Sequence, residues 1–169
     1  MKKARFLCTF LLAFALLLVV WRWMDGSRWY TQGLLATASV LGPTLHGWVL
    51  ETDQRGQNPP TWVHGDKQVR ASIQFDALAV GLVPALALLV ATPGLGVRRR
   101  AALLVIGTAL CFAIDTLIVA LFPILVFYKN PFTDVLGTFL GLIAFVGAPV
   151  IIWFALTFGQ LRQSLRPLR

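Results

Sequence analysis

The chain has 169 residues, of which 57% are hydrophobic and only 13% are charged. An ordinary soluble domain carries about 25% charged residues, so this composition excludes a protein that faces water on all sides. The net charge of +8 leaves nucleic acid and a membrane as candidate partners, and the positions of the basic residues distinguish the two.

Four apolar runs are long enough to cross a bilayer, which takes roughly 20 residues of helix. They cover residues 6–24, 73–92, 101–127 and 135–158. The sequence therefore predicts an all-α membrane protein with four transmembrane helices, forming a single integral membrane domain over residues 1–169.

Basic residues are concentrated before the first run, between the second and third runs, and after the fourth run. If all four runs cross the membrane, these three positions lie on the same side of it. No acidic residue falls in these clusters, and the positive-inside rule makes that side cytoplasmic. We expect a multi-pass protein of the bacterial inner membrane with both termini inside, residues 25–72 in the periplasm, and lipids rather than nucleic acid as partners. The clusters are Lys2, Lys3 and Arg5; Arg98, Arg99 and Arg100; and Arg162, Arg166 and Arg169.

The first run begins with basic residues, as a signal peptide does, but its apolar part exceeds the usual 7–15 residues. It ends in the bulky stretch VVWRWMDG instead of a small-residue cleavage site. We expect an uncleaved anchor with an aromatic belt at its outer end, because Trp and Tyr collect at membrane interfaces. The belt consists of Trp21, Trp23, Trp29 and Tyr30.

The outer segment begins with a stretch whose apolar residues recur at helical spacing. Gly42-Pro43 interrupts this stretch, and a fifth span here would move the arginine cluster at 98–100 to the outside. We therefore expect a broken amphipathic helix that lies on the outer leaflet. Its apolar residues are Leu34, Ala38, Leu41, Leu45 and Trp48.

Apolar and polar residues then alternate with a period of two in QVRASIQF, which is typical of a half-buried strand. Before it, TWV indicates a second strand and HGDK a tight turn, while GWVLETD is a candidate for an earlier strand. The sequence predicts an antiparallel β-hairpin unit of two or three strands, resting on the membrane between the first two spans.

One carboxylate, Asp115, lies near the middle of the third run. A charge at the centre of a bilayer costs roughly 2.5–3.5 kcal/mol even on the most favourable scale, so Asp115 should face other helices or a water-filled space. Gly107 and Cys111 precede it at intervals of four residues and share its stripe. A hydrogen bond to a neighbouring helix, with Thr116 nearby, and a proton-handling or substrate-contacting acid remain open. The first is favoured because no second charged residue lies at mid-depth.

The fourth run contains a stripe of small residues, which let helix backbones approach closely. We predict that this stripe is a helix-docking surface, either for another helix of the chain or for another protein. It consists of Gly137, Gly141, Ala144 and Ala148.

Motifs for catalysis and metal binding are not apparent in the sequence. Cys8 and Cys111 lack a CxxC partner and are expected to be buried, unpaired thiols. His46 and His64 are far apart and fit surface or turn positions better than ligand positions. We therefore expect no catalytic residue, no metal site and no cofactor, and predict that the chain is not an enzyme.

The layout resembles that of the exosortase H-associated membrane proteins. The resemblance lies in RFLCTFLLAFALLLVVW as an anchor, an outer segment rich in short strands, then FDALAVGLVPALALLVATPG and the arginine turn VRRR. Exosortases themselves are intramembrane cysteine transpeptidases with a Cys, Arg and His set, and no His falls in any predicted span here. The resemblance thus implies an accessory subunit that binds an exosortase-like membrane protein.

Two other classes of function remain open on the sequence alone. A structural subunit of a respiratory or transport complex would use the same small-residue stripe. An enzyme or proton-coupled carrier would instead depend on Asp115.

Overall fold

The computed structural model describes residues 2–51, 60–70, 75–127, 130–142 and 147–165. These residues are mostly helical, as predicted, and form six helices and three short strands. In chain order the elements are α1 (Lys2–Trp23), α2 (Gly26–His46), β1 (Val49–Glu51), β2 (Thr61–His64), β3 (Lys67–Arg70), α3 (Phe75–Ala91), α4 (Val97–Phe127), α5 (Pro131–Leu142) and α6 (Ala148–Leu165).

Two helical segments are long and apolar enough to cross a membrane, namely Ala4–Trp23 and Val97–Phe127. Large apolar side chains are exposed along both helices, including Leu12 and Val19 on α1 and Val105 on α4. The apolar segments Gly81–Ala91 and Ala148–Gly159 are shorter. Two candidate spans are therefore found, and the presence of four transmembrane helices stays a prediction.

The predicted fourth run, 135–158, is divided between α5 and α6, and residues 143–146 lie outside the described residues. A cap built by Asn130 and Thr133 starts α5. The Oδ1 of Asn130 accepts a hydrogen bond from the Thr133 backbone N–H at 2.8 Å, and the Thr133 Oγ1 accepts one from the Asn130 N–H at 2.8 Å. Pro131 then occupies the first helical position, where its missing N–H costs nothing.

The helix α2 is continuous through Pro43, so the prediction of a broken helix is wrong. Its apolar stripe faces other helices of the same chain, because Leu34 and Ala38 are both 0% exposed. The expectation that this stripe rests on the outer leaflet is therefore corrected as well. Leu45 at the far end of the stripe remains exposed.

The three strands form one antiparallel sheet in the order β1-β2-β3, which confirms the predicted β unit with three strands. Leu50 pairs with Trp62 and Trp62 pairs with Val69, so the buried side chains of all three strands lie in one row. The turn between β2 and β3 contains Gly65 at φ 57°, a backbone conformation that favours glycine. Residues 71–74, part of the predicted alternating run, lie outside the described residues.

The core consists of two clusters, and α2 contributes to both. One cluster joins α2, α3, α4 and α6 through Tyr30, Leu34, Leu82, Ala85, Cys111, Ala148 and Ile152. The other joins the sheet to α2 and α4 through Ala38, Trp48, Leu50, Trp62, Val69 and Val119. The sheet thereby packs against the last turns of α4. This contact stabilises the sheet, because short strands are only marginally stable in isolation.

Candidate functional site: a buried tyrosine–aspartate pair

The predicted stripe on α4 lies on the buried side of that helix. Gly107, Cys111 and Asp115 are all buried, and Asp115 is only 5% exposed. Four-residue spacing keeps these side chains on one face of the helix. The carboxylate therefore faces other helices of the chain, as we predicted from the free-energy cost of placing a charge in lipid.

The partner of this carboxylate is Tyr30, from the first turns of α2. Its hydroxyl donates a hydrogen bond to Oδ2 of Asp115 at 2.7 Å, and the side chain is 8% exposed. Burial and the nearby charge of Asp115 raise the pKa of the Tyr30 phenol above its ordinary value. The hydroxyl thus remains protonated and serves as a donor.

Two aromatic rings hold the phenol of Tyr30 in place. Trp21 contacts it edge-on with ring centroids 6.0 Å apart, and Phe112 does the same at 5.6 Å. The tight turn between α1 and α2, in which Asp25 adopts φ 52°, brings Trp21 and Tyr30 together. Gly26 follows in this turn, and a Cβ there would lie 2.6 Å from the Trp21 ring. Local backbone geometry therefore positions the donor.

Thr116 was a candidate partner for Asp115, and the structure does not pair them. The Thr116 side chain is 3% exposed, and its Oγ1 has no hydrogen-bond partner among the described residues. Consecutive positions on a helix point about 100° apart, so Asp115 meets α2 while Thr116 faces a different neighbour.

The pair lies level with the carboxyl-terminal end of α1, because Trp21 is in the last turn of that helix. At the opposite end, Arg5 of α1 and Arg100 of α4 line the same cavity. Asp115 is fifteen residues from Arg100, or about 22 Å along the helix. The helix α4 thus extends well beyond the end of α1, and the position of Asp115 near the middle of a membrane span stays a prediction.

A second polar contact ties the helices together near this arginine end. The Thr92 hydroxyl accepts a hydrogen bond from Trp153 Nε1 at 2.9 Å and donates one to the Leu88 carbonyl at 2.8 Å. Arg100 donates from Nη2 to the Thr92 carbonyl at 3.1 Å. The end of α3 is thus joined to both α4 and α6.

The residues predicted for helix docking occupy different places in the structure. Gly137 lies in α5, and a Cβ built there meets nothing within 4 Å. Gly141 belongs to the same helix, and Ala144 lies outside the described residues. Ala148 begins α6 and is buried in the core cluster that contains Tyr30. The predicted stripe thus combines an open position with one that packs internally.

The cysteines are both free, but only Cys111 is buried. Cys8 is exposed on α1, so its predicted burial is wrong for the isolated chain. Among the described residues, no group of three or more His, Cys, Asp and Glu side chains could hold a metal ion. His64 instead contacts the Gly47 carbonyl through Nδ1 at 3.0 Å, a turn position of the kind expected for it.

Sequence reasoning placed Tyr30 in an interfacial aromatic belt and did not connect it with Asp115. The two residues are 85 positions apart, and no local pattern links them. Thr92 and Trp153 were likewise not selected. A buried Trp needs an acceptor for its indole N–H. This requirement is the only sequence feature that could have suggested a polar partner for Trp153.

Comparisons of the chain with protein-family models, with curated proteins and with solved structures find no match.

Proposed function

We propose that the chain is a non-catalytic accessory subunit of an inner-membrane protein-sorting transpeptidase of the exosortase type. The resemblance in the anchor, the strand-rich outer segment and the arginine turn supports the identity of the partner. The open face of α5 supports the role as a partner subunit, and it is the observation that carries this proposal.

The helix α5 is apolar, and little of the part of the chain that the structure describes packs on it. Phe132, Val135 and Phe139 are 73%, 70% and 58% exposed, and α5 packs chiefly against α4. Gly137 lies on the same helix with open space where a Cβ would be. Gly137 lies on the opposite side of α5 from these three residues, since successive residues of a helix turn by about 100°. Small residues let a second membrane helix approach closely, so the open side at Gly137 is the docking surface in this proposal.

The four-span arrangement is part of the proposal, and the relative directions of the helices support it. Arg5 and Arg100 share one cavity, while Trp21 and Phe112 both contact Tyr30. The helices α1 and α4 therefore run in the same direction. If α1 and α4 both cross the membrane in this direction, the chain leaves α1 on one side of the membrane and enters α4 from the opposite side. The chain must therefore cross the membrane once between α1 and α4, and in this proposal α3 makes that crossing.

The return of the chain through α6 gives the fourth crossing. Ala148 at its start belongs to the same core cluster as Tyr30, and Trp153 farther along contacts Phe6 and Thr92 near the arginine end. This direction carries the carboxyl-terminal part of the helix toward the side where α1 begins. Both termini then lie in the cytoplasm under the positive-inside rule.

The experiment that tests the proposed function is affinity purification in mild detergent, followed by identification of the co-purified membrane proteins. The tagged chain should bring down an exosortase-like protein. The variant Gly137→Ile should reach normal membrane levels, because its added atoms meet open space, and should lose most of that partner.

Gly159→Ile is the matched control for this variant. Gly159 is an exposed glycine of α6 with nothing within 4 Å of a built Cβ, so the same substitution should leave the partner bound. A Gly137→Ile variant that is abundant and retains its partner would contradict docking at α5. Co-purification of respiratory or transport subunits instead would favour the alternative of a structural subunit in such a complex.

A second candidate function is an enzyme or proton-coupled carrier that uses Asp115. The observation favouring it is that Tyr30, Asp115, Cys111 and the unpartnered Thr116 hydroxyl are buried near one another. The hydrogen bond from Tyr30 gives the carboxylate a structural role, and for this reason the candidate ranks second.

A further inference from the structure

A cavity of about 670 Å³ lies at the arginine end of the bundle. It is bounded by α1, by the end of α3 and the turn that follows, and by the first turn of α4. Polar groups from three of these elements line it, namely Arg5, Thr9, Thr92 and Arg100. The cavity is thus a concave site and not a convex surface.

The charge of this cavity is entirely positive. Arg5 and Arg100 both line it, and the sequence has no acidic residue in 1–24 or 77–114 to neutralise them. Arg100 uses Nη2 to hold the Thr92 carbonyl, and its Nε is buried without a hydrogen-bond partner among the described residues. A buried donor that lacks an acceptor costs free energy, so an anion that accepted from it would be favoured.

An apolar groove of about 570 Å³ lies next to this cavity, and Val90 lines both. The groove lies between α1 and α4 over α3, with Leu17, Leu86 and Val105 among its walls. Along α4 it extends from Leu104 to Phe112, about 12 Å. It ends beneath the ring of Tyr30, which closes its far side.

We propose that this composite site binds one anionic phospholipid. The phosphate lies between Arg5 and Arg100, and an acyl chain occupies the apolar groove. Arginine suits this role because its planar fork of donors matches the oxygens of a phosphate. Basic pockets between membrane helices on the cytoplasmic side are recognised sites for lipid headgroups.

The position of the charged cavity next to the apolar groove is what selects a lipid as the occupant. A partner helix would fill the apolar groove but would leave the arginines without an anion, and a free phosphate would leave the groove empty. The inference rests on the proposed insertion of the chain in a membrane, with its arginine end at the cytoplasmic surface. It does not depend on the exosortase-like partner.

The test uses the full chain reconstituted in vesicles of equal parts phosphatidylcholine and phosphatidylglycerol. After extraction in mild detergent, the lipid that remains bound is counted by native mass spectrometry. We expect one retained phosphatidylglycerol. Arg5→Gln and Arg100→Gln should each weaken its retention about tenfold, the effect of losing a charge-assisted hydrogen bond to the phosphate.

Arg98→Gln is the matched control, because Arg98 is an exposed neighbour in the same cluster and does not line the cavity. Equal loss from Arg98→Gln would show general attraction to anionic lipid and would overturn the specific site. Retention of phosphatidylcholine as strongly as phosphatidylglycerol would overturn it too. Arg5 is exposed, so its substitution keeps the test valid should Arg100→Gln unfold the chain.

The groove is tested separately with Ala109→Trp, which fills it from α4 without changing any charge. Leu110→Trp is its control, since Leu110 is exposed on the same helix and lies outside the groove. Ala109→Trp should release the lipid, and Leu110→Trp should not. If the two variants retained the lipid equally, the proposed position of the acyl chain in the groove would be contradicted.

Extraction of the vesicles at high pH separates the two proposals. A chain that stays in the membrane but shows no lipid preference contradicts the lipid site alone. A chain that is washed off the membrane contradicts both the site and the proposed spans.

Discussion

The hydroxyl of Tyr30 lies 2.7 Å from Oδ2 of Asp115 and joins the start of α2 to the buried face of α4. This contact lies where α1 ends and where α2 begins to run beside the outer half of α4. It is surrounded by Trp21, Phe112 and the core cluster that includes Leu34. A single polar contact in such apolar surroundings fixes how α2 is positioned along α4, because any shift would leave both groups unpaired.

The first prediction concerns the acceptor in this contact. Asp115→Asn retains an oxygen for the Tyr30 hydroxyl and should change stability little. Asp115→Leu leaves that hydroxyl buried without an acceptor and should destabilise the protein by about 1–3 kcal/mol. Thermal unfolding of the purified variants in detergent measures both effects.

A double-mutant cycle supplies the control. Combining Tyr30→Phe with Asp115→Leu removes both polar groups, so the pair should cost less than the sum of the two single changes. Simple additivity would show that the hydrogen bond contributes nothing to stability. If Asp115→Asn abolishes function at a normal level of folded protein, the carboxylate acts chemically and the second candidate function gains.

The second prediction tests the close approach of α2 to the sheet. A Cβ at Gly42 would lie 2.8 Å from the backbone oxygen of Trp48 and 2.9 Å from Cη2 of Trp62. Backbone and a fully buried indole cannot move aside easily, so Gly42→Ala should lower the free energy of unfolding by about 1–3 kcal/mol. Chemical or thermal unfolding of the detergent-solubilised chain measures this loss.

Gly159→Ala is the comparison, because a Cβ there meets nothing within 4 Å and alanine favours a helix over glycine. It should be neutral or slightly stabilising. If Gly42→Ala behaved in the same way, the close packing of α2 on Trp62 would be refuted.

The sequence predicted the helices and the β unit because their signals are local. Uninterrupted apolar runs mark α1 and α4, and alternation with the turn HGDK marks the hairpin of β2 and β3. The course of α2 was not predictable in this way. Gly42-Pro43 has the local signature of a break, yet Gly42 is the residue that lets the helix pack on Trp62.

The candidate site was half predictable from the sequence. The acid could be recognised because a lone carboxylate in an apolar run must be paired or hydrated. Its donor could not, because Tyr30 resembles an interfacial residue and reaches Asp115 only through the turn at Asp25.

The third prediction concerns the polar contact near the arginine end. Thr92→Val keeps the shape of the side chain but removes the acceptor of the Trp153 indole N–H. Stability should fall by about 1–3 kcal/mol. Thr92→Ser retains a hydroxyl and should lose much less, and thermal unfolding of the three proteins in one detergent makes the comparison. Equal stability of the valine and serine variants would argue against this hydrogen bond.

The fourth prediction is the topology. A reporter that is active only in the periplasm should be active when fused after Gln57 or Asn130, and silent after Gly96 or Arg169. Membrane fractions are assayed for reporter activity and for fusion protein, so that a silent fusion is separated from a missing one. Arg169 alone tests whether the number of spans is even, since activity there would require an odd number.

Gly96 and Asn130 together test whether α3 and α6 cross the membrane. If only the two long helices crossed, Gly96 would lie outside and Asn130 inside, and both fusions would give the opposite result. That arrangement would also place Arg5 and Arg100 on opposite sides of the membrane, although they line one cavity. Activity after Gly96 would therefore contradict the four spans, the parallel directions of α1 and α4 and the lipid site together. Silence after Gly96 with activity after Asn130 requires α3 to bring the chain back across the membrane, as the parallel directions of α1 and α4 demand.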